Sequence, residues 1–206
     1  MTYPKATQRI ESIIIVACIC FPAVALILVL FYFLGQKYPK YFNSFRIWTS
    51  IWILVTIVAI SNIIVTLQNI YIGKVRPDFF SQCGSDIRDP RECSILNRKD
   101  RIDEMSSYPS NDSASIVSSL LYLALLLEKA CVKRPAWATV LCILFFIIGL
   151  LAGSFPIKTF RAHFDDVVAG FFIGILCCAI IWNGSVKRIF RDCKNNDSSA
   201  YYDPVM

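Results

Sequence analysis

Residues 47–73 read IWTSIWILVTIVAISNIIVTLQNIYIG, a run with no charged residue in it. An α-helix of about 20 residues crosses the roughly 30 Å of bilayer hydrocarbon, so this stretch is long enough to span a membrane. Its most polar members, Ser61, Asn62, Gln68 and Asn69, are neutral. Four other apolar runs meet the same test, at 13–34, 113–127, 136–155 and 167–182. The shortest, 113–127, fits only with Asn111 and Asp112 at its mouth and Glu128 at its exit. Apolar helices also fill the cores of large soluble proteins. A chain of 206 residues, 56% hydrophobic and 17% charged, has no polar shell with which to cover five of them. The pattern predicts an all-α fold, a polytopic membrane helix bundle of about five spans. The first run is longer than a signal-peptide core and no small-x-small cleavage site follows it, so it reads as an uncleaved anchor. The expected organisation is an N-terminal segment over 1–12, a transmembrane domain over 13–183 and a basic to polar tail over 184–206, loose after Asp192.

Five crossings sort the connecting segments onto two faces. One face receives the N-terminus, 74–110 and 156–166; the other receives 35–46, 128–135 and the tail. Lys and Arg divide almost evenly, 11 against 10, but the long 74–110 loop holds seven of the first group together with seven acids. The short segments of the second face are more purely basic. Positive charge beside helix ends marks the cytoplasmic side, which places the C-terminus in the cytoplasm and the first face outside or in a lumen. Five of the nine cysteines, Cys18, Cys20, Cys142, Cys177 and Cys178, fall inside apolar runs, where Cys behaves as a small hydrophobe. Cys83 and Cys93 share the long loop and, if that face is oxidising, can close a small disulfide. Two thiols with no other Cys or His between them make a poor zinc site, and no metal or other cofactor is expected.

Three polar patches gather on the first face: KVRPDFF over 74–80, SYPSNDSAS over 107–115 and DDVVAGFF over 165–172. Each has an ordinary explanation. Arg76-Pro77 can be a helix stop with a snorkelling cation, Pro109-Ser110-Asn111-Asp112 is a sound helix cap, and Asp165-Asp166 complements a helix dipole. Together, charged and proline-bearing segments at one membrane face look like a site for a polar head group.

The order of the patches resembles the type 2 phosphatidic acid phosphatase (lipid phosphate phosphatase) family, whose signature is K-x6-RP, then PSGH, then SR-x5-H-x3-D. The resemblance covers roughly 47–181. It implies a metal-free phosphatase in which the third motif's His attacks phosphorus, its Asp orients that His, and the second motif's His protonates the leaving oxygen. Lys and Arg side chains grip the phosphate. Position by position, Arg76-Pro77, Pro109-Ser110 and Asp166 with Gly170 match. The Lys falls on Asn69, the Gly and acid His on Asn111 and Asp112, the nucleophile on Ala162 and the third motif's Arg on Pro156.

His163, the one histidine of the chain, lies three residues before Asp166, and i,i+3 neighbours meet on a helix. The resemblance therefore implies His163, Asp166 and Asp112 as catalytic candidates, with Asp112 as proton donor if held protonated. Arg76, Ser110, Lys158 and Arg161 are the phosphate-binding candidates. Three functions follow: a degenerate member that binds phosphorylated lipid with lost or much reduced turnover, an active lipid phosphate phosphatase built on His163, or a membrane scaffold. Expected partners are membrane lipids and phosphorylated head groups rather than nucleic acid. Gly149/Gly153 and Gly170/Gly174, each spaced GxxxG, allow close helix packing and a helix-mediated oligomer.

Overall fold

The computed structural model describes residues 21–38, 45–77, 79, 105–131, 136–158 and 160–199, with side chains in the last segment through residue 190. All elements in these segments are helical: α1 (Phe21–Lys37), α2 (Ile47–Ile72), α3 (Asn111–Ala130), α4 (Ala136–Gly153), α5 (Phe155–Lys158) and α6 (Phe164–Ser199). Four stretches are long and apolar enough to cross a membrane: α2, α3, α4 continued through α5, and α6 as far as Phe190. The expected first span is met from residue 21 by α1, a shorter apolar helix; residues 1–20 lie outside the described part. So do Cys83 and Cys93.

Position explains composition. α3 is the least apolar span, and 67% of it is buried against other helices, whereas 17% of the α4–α5 span is. A helix facing neighbours rather than lipid can carry serines, because the neighbours complete their hydrogen bonds. Ser115 Oγ donates to Asn62 Oδ1 at 2.8 Å, and Ser113 Oγ donates to the Gly153 carbonyl at 2.7 Å. Lower in the bundle, Tyr122 donates to the Ser50 carbonyl at 2.9 Å, and its hydroxyl lies 2.7 Å from Ser50 Oγ. Around that pair Leu54, Ile57, Leu123, Leu126, Cys178 and Trp182 close the main core.

The glycines set the spacing between α3 and α6. A Cβ at Gly170 would lie 2.5 Å from the Ser110 carbonyl oxygen, and one at Gly174 would lie 2.6 Å from that of Ala114. Gly153 meets the Phe171 ring, and Gly149 rests on Leu120. Both GxxxG pairs are thus used inside the chain.

α6 runs well past residue 182, where the apolar run was expected to end. Val186, Ile189 and Phe190 continue the apolar series at helical spacing. Ile189 is fully buried, and Phe190 packs on Phe45 with ring centroids 6.4 Å apart. The Arg46 N–H donates to the Ile189 carbonyl at 3.3 Å, joining the start of α2 to this extension. At the other end of the bundle the last turn of α2 and the first turns of α3 and α6 meet, and all three polar patches come together.

Candidate functional site

α2 ends at Gly73, which takes a left-handed φ of 62° and donates its N–H to the Asn69 carbonyl. Glycine adopts this conformation without Cβ strain and closes the helix, turning the chain into the first patch. Lys74 follows at once. Its ammonium reaches Asp165 Oδ2 at 2.5 Å and Asp166 Oδ1 at 2.7 Å, and lies 5.6 Å from the centroid of the Tyr108 ring. Partial burial works against this charge. The hydrogen bonds to Asp165 and Asp166 and their negative charges outweigh it, so Lys74 is held above the ordinary lysine range.

Asp166 is the hub. Its side chain is fully buried, and a buried carboxyl group is sustainable only with hydrogen-bond partners around it. Besides Lys74 it accepts from the Ser107 hydroxyl and from the His163 N–H at 2.9 Å, and His163 Nδ1 lies 3.2 Å from its Oδ2. The Ser107 N–H in turn donates to the Lys74 carbonyl at 3.0 Å, so the first two patches are tied by backbone as well. The expected His163–Asp166 meeting is present, with the imidazole 40% exposed.

Ser110 is buried at the start of α3. It caps α3, accepting from the Ser113 N–H at 3.4 Å, and its Oγ lies 2.8 Å from Ser113 Oγ. Its own N–H donates to the Asp166 carbonyl at 2.9 Å. The helix-cap reading of Pro109-Ser110-Asn111-Asp112 therefore holds. One residue into the helix, Asp112 Oδ2 lies 3.6 Å from Arg161 Nη1, a pairing that brings the second and third patches together at the mouth. Arg76 is buried just beyond Lys74, and Lys158 is exposed at the end of α5.

The positions at which the family signature departs have structural occupants. Asn69 donates through Nδ2 to the Pro109 carbonyl at 3.3 Å, bracing α2 against the second patch. The Pro156 carbonyl accepts the N–H groups of Arg161 and Ala162 at 3.0 and 3.3 Å, closing the turn that leads into α6. Ala162 is buried within that turn. Lys74 and Ser107 were not among the sequence candidates. An adjacent pair of acids at Asp165-Asp166, facing a patch that opens with lysine, is the signal that points to Lys74; no spacing rule points to Ser107.

His163, Asp165 and Asp166 bring donor atoms within 4.8 Å of one another, a separation that a metal ion can bridge. Lys74 Nζ already stands between the two carboxylates and supplies the countercharge. Chemically the site offers four cations, Lys74, Arg76, Lys158 and Arg161, a buried carboxylate oriented on an imidazole, and hydroxyl and amide donors at a membrane face.

The family model described as PAP2 superfamily matches residues 50–190. A Schizosaccharomyces pombe protein named probable diacylglycerol pyrophosphate phosphatase 1 is 24% identical over 199 residues, which is 91% of this chain and 67% of that protein. A Xenopus laevis protein named phospholipid phosphatase-related protein type 5 is 39% identical over 72 residues, covering 34% of this chain and 23% of the relative. No solved structure matches.

Proposed function

The chain belongs to the PAP2 superfamily, and from that premise we propose that it recognises phosphorylated lipid head groups at one membrane face, with turnover lost or much reduced. The observation that carries this reading is what stands where the family's two imidazoles belong. Ala162 offers no nucleophile, and Asp112 is engaged by Arg161. At that position a carboxyl turned toward a guanidinium 3.6 Å away stands in place of the family's acid imidazole. Loss of a nucleophile alone costs on the order of 10⁴ to 10⁶ in rate, judged from triad deletions in serine hydrolases. Recognition needs less. Arg76, Arg161 and Lys158 supply cations at the mouth, and guanidinium groups grip phosphate oxygens through paired hydrogen bonds. The site face is extracellular or lumenal and the C-terminus cytoplasmic.

A second reading is supported by one distance, His163 Nδ1 to Asp166 Oδ2 at 3.2 Å. An imidazole held through Nδ1 keeps Nε2 for attack. The Nε2–P bond would form as the P–O bond to the lipid breaks, and the alkoxide would take its proton from water or from a protonated Asp112. Water would then release phosphate from the phosphohistidine.

Purified full-length protein incubated with phosphatidate, without divalent metal, separates the two. The fission-yeast relative is named for diacylglycerol pyrophosphate, so that lipid belongs in the same assay. Binding with phosphate release at background supports the first reading. Release that disappears in His163→Ala overturns it and establishes the second.

A further inference from the structure

We infer that the membrane face opposite the candidate site is a binding surface for the anionic phospholipid head groups of the adjoining leaflet, centred on Arg46, Lys187 and Arg188. This inference does not depend on the function proposed above.

Helix geometry sets the level of these residues. Asp166 and Lys187 are separated by 21 residues of one continuous helix, about 32 Å at 1.5 Å per residue, close to the thickness of the hydrocarbon layer. With the Asp166 cluster at one interface, Lys187 and Arg188 emerge at the other. Arg46 is brought to the same level by its N–H bond to the Ile189 carbonyl. Beneath this junction Phe45 is buried against Phe190 and Tyr32, with ring centroids 6.4 and 6.3 Å away, so the three basic residues stand on a packed floor. All three are exposed, as is Lys37 at the end of α1.

Charge is partitioned between the faces. Along the sequence, 35–46, 128–135 and 183–206 hold ten Lys and Arg against four Asp and Glu. The site-face segments 74–112 and 156–166 hold nine against ten. The chain's net charge of +6 therefore belongs to the face opposite the site. Among the residues of that face whose side chains are described the one acid is Glu128, and beyond them the sequence adds Arg191 and Lys194 together with Asp192, Asp197 and Asp203.

Tryptophan marks the same level. Trp48, Trp52 and Trp137 are 72%, 66% and 48% exposed, all within the first two turns of α2 or α4, and the fourth, Trp182, is buried in the core. Indole rings settle at the head-group level of a bilayer, so the cations beside them meet lipid phosphates rather than bulk solvent. Clusters of four or more Lys and Arg beside a membrane helix attract anionic lipid at a strength equivalent to about fivefold in affinity per cation.

The test is native mass spectrometry of the full-length protein in detergent, titrated separately with phosphatidylserine and phosphatidylcholine. Phosphatidylserine is expected to be retained preferentially, and Lys187→Gln with Arg188→Gln is expected to weaken it about 25-fold. Arg76→Ala, at the far face, is expected to leave that retention unchanged; loss there instead would assign the lipid to the candidate site and overturn the inference. Equal retention of the two lipids, or unchanged retention in the double variant, also overturns it. The wild-type protein gives an independent reading. Raising KCl from about 0.1 M to about 1 M shortens the Debye length from about 10 to about 3 Å and is expected to release phosphatidylserine; a flat salt profile refutes the inference without any variant.

Discussion

Lys74 Nζ lies 2.7 Å from Asp166 Oδ1, joining residues 92 positions apart in sequence and locking the end of α2 to the start of α6. The carboxylate is fully buried and the lysine side chain 29% exposed, so the pair sits at the boundary between protein interior and membrane surface. Such a pair is worth more as a constraint than as a contact. The buried member is costly to leave without its partner.

Lys74→Met is therefore expected to destabilise the protein by about 1.5–3 kcal/mol, the usual range for a charge-assisted hydrogen bond to a buried group. Asp166→Asn removes the charge at the other end. If the two act as a pair, the double variant loses less than the sum of the single variants, measured by thermal unfolding in one detergent. Strict additivity refutes the coupling.

Lys74 also sets a pH signature. Its folded-state value is raised above the ordinary one, so its stabilising contribution is complete below the unfolded-state value of about 10.4 and is lost as pH rises through the folded-state value. The difference in unfolding temperature between wild type and Lys74→Met is expected to be constant from about pH 7 to about pH 10 and to shrink above that. A difference that shrinks within the neutral range would contradict the assignment.

The packing of α3 on α6 predicts a sharp contrast among alanine substitutions. At Gly170 and Gly174 the new Cβ would strike backbone oxygens at 2.5 and 2.6 Å, and backbone cannot rotate away. Each is expected to cost about 1–3 kcal/mol. At Gly149 the nearest atom, Leu120 Cβ, is 3.4 Å away, and alanine is expected to be tolerated. Equal melting temperatures across the three variants would place the helices farther apart than described.

For the site itself, Arg76→Lys is expected to weaken phosphatidate binding measurably, because an ammonium cannot reproduce a two-pronged grip. Arg76→Ala is expected to weaken it roughly 10- to 100-fold. His163→Ala leaves binding nearly intact under the proposed reading. Isothermal titration or lipid-retention assays read the first two, with unfolding temperature as the control, since Arg76 is buried.

Orientation is checked by glycosylation. Asn183-Gly184-Ser185 and Asn196-Asp197-Ser198 are acceptor triplets on the face assigned to the cytoplasm and are expected to stay unmodified in a eukaryotic host. A glycan on Asn196 reverses the orientation.

Much of this architecture is legible in the sequence because lipid imposes a simple rule, that a crossing must be long and apolar. The spans at 47–73, 113–127 and 136–155 all reappear as helices near their expected bounds. The extension of α6 was hidden, because Ile189 and Phe190 are interrupted by basic residues and only contact with Phe45 shows why the helix continues. In the site, His163–Asp166 followed from local spacing. Lys74 and Ser107 did not, because the carboxylates they bind are 59 or more positions away and bulk sequence pattern carries no record of which loops meet. Ser110 was read as a ligand and also as a cap; the cap is what its hydrogen bonds describe.

The bond from the Ser110 N–H to the Asp166 carbonyl, with Gly170 pressed against the Ser110 oxygen, makes those motif fragments the hinge pin of the bundle. The side chains of Asp112 and Ala162 carry none of these contacts. Exchanging the side chains at 112 and 162 therefore leaves this docking of α3 on α6 untouched. The motif letters at 110, 166 and 170 thus record what the helices need to stay docked, apart from any chemistry at the mouth.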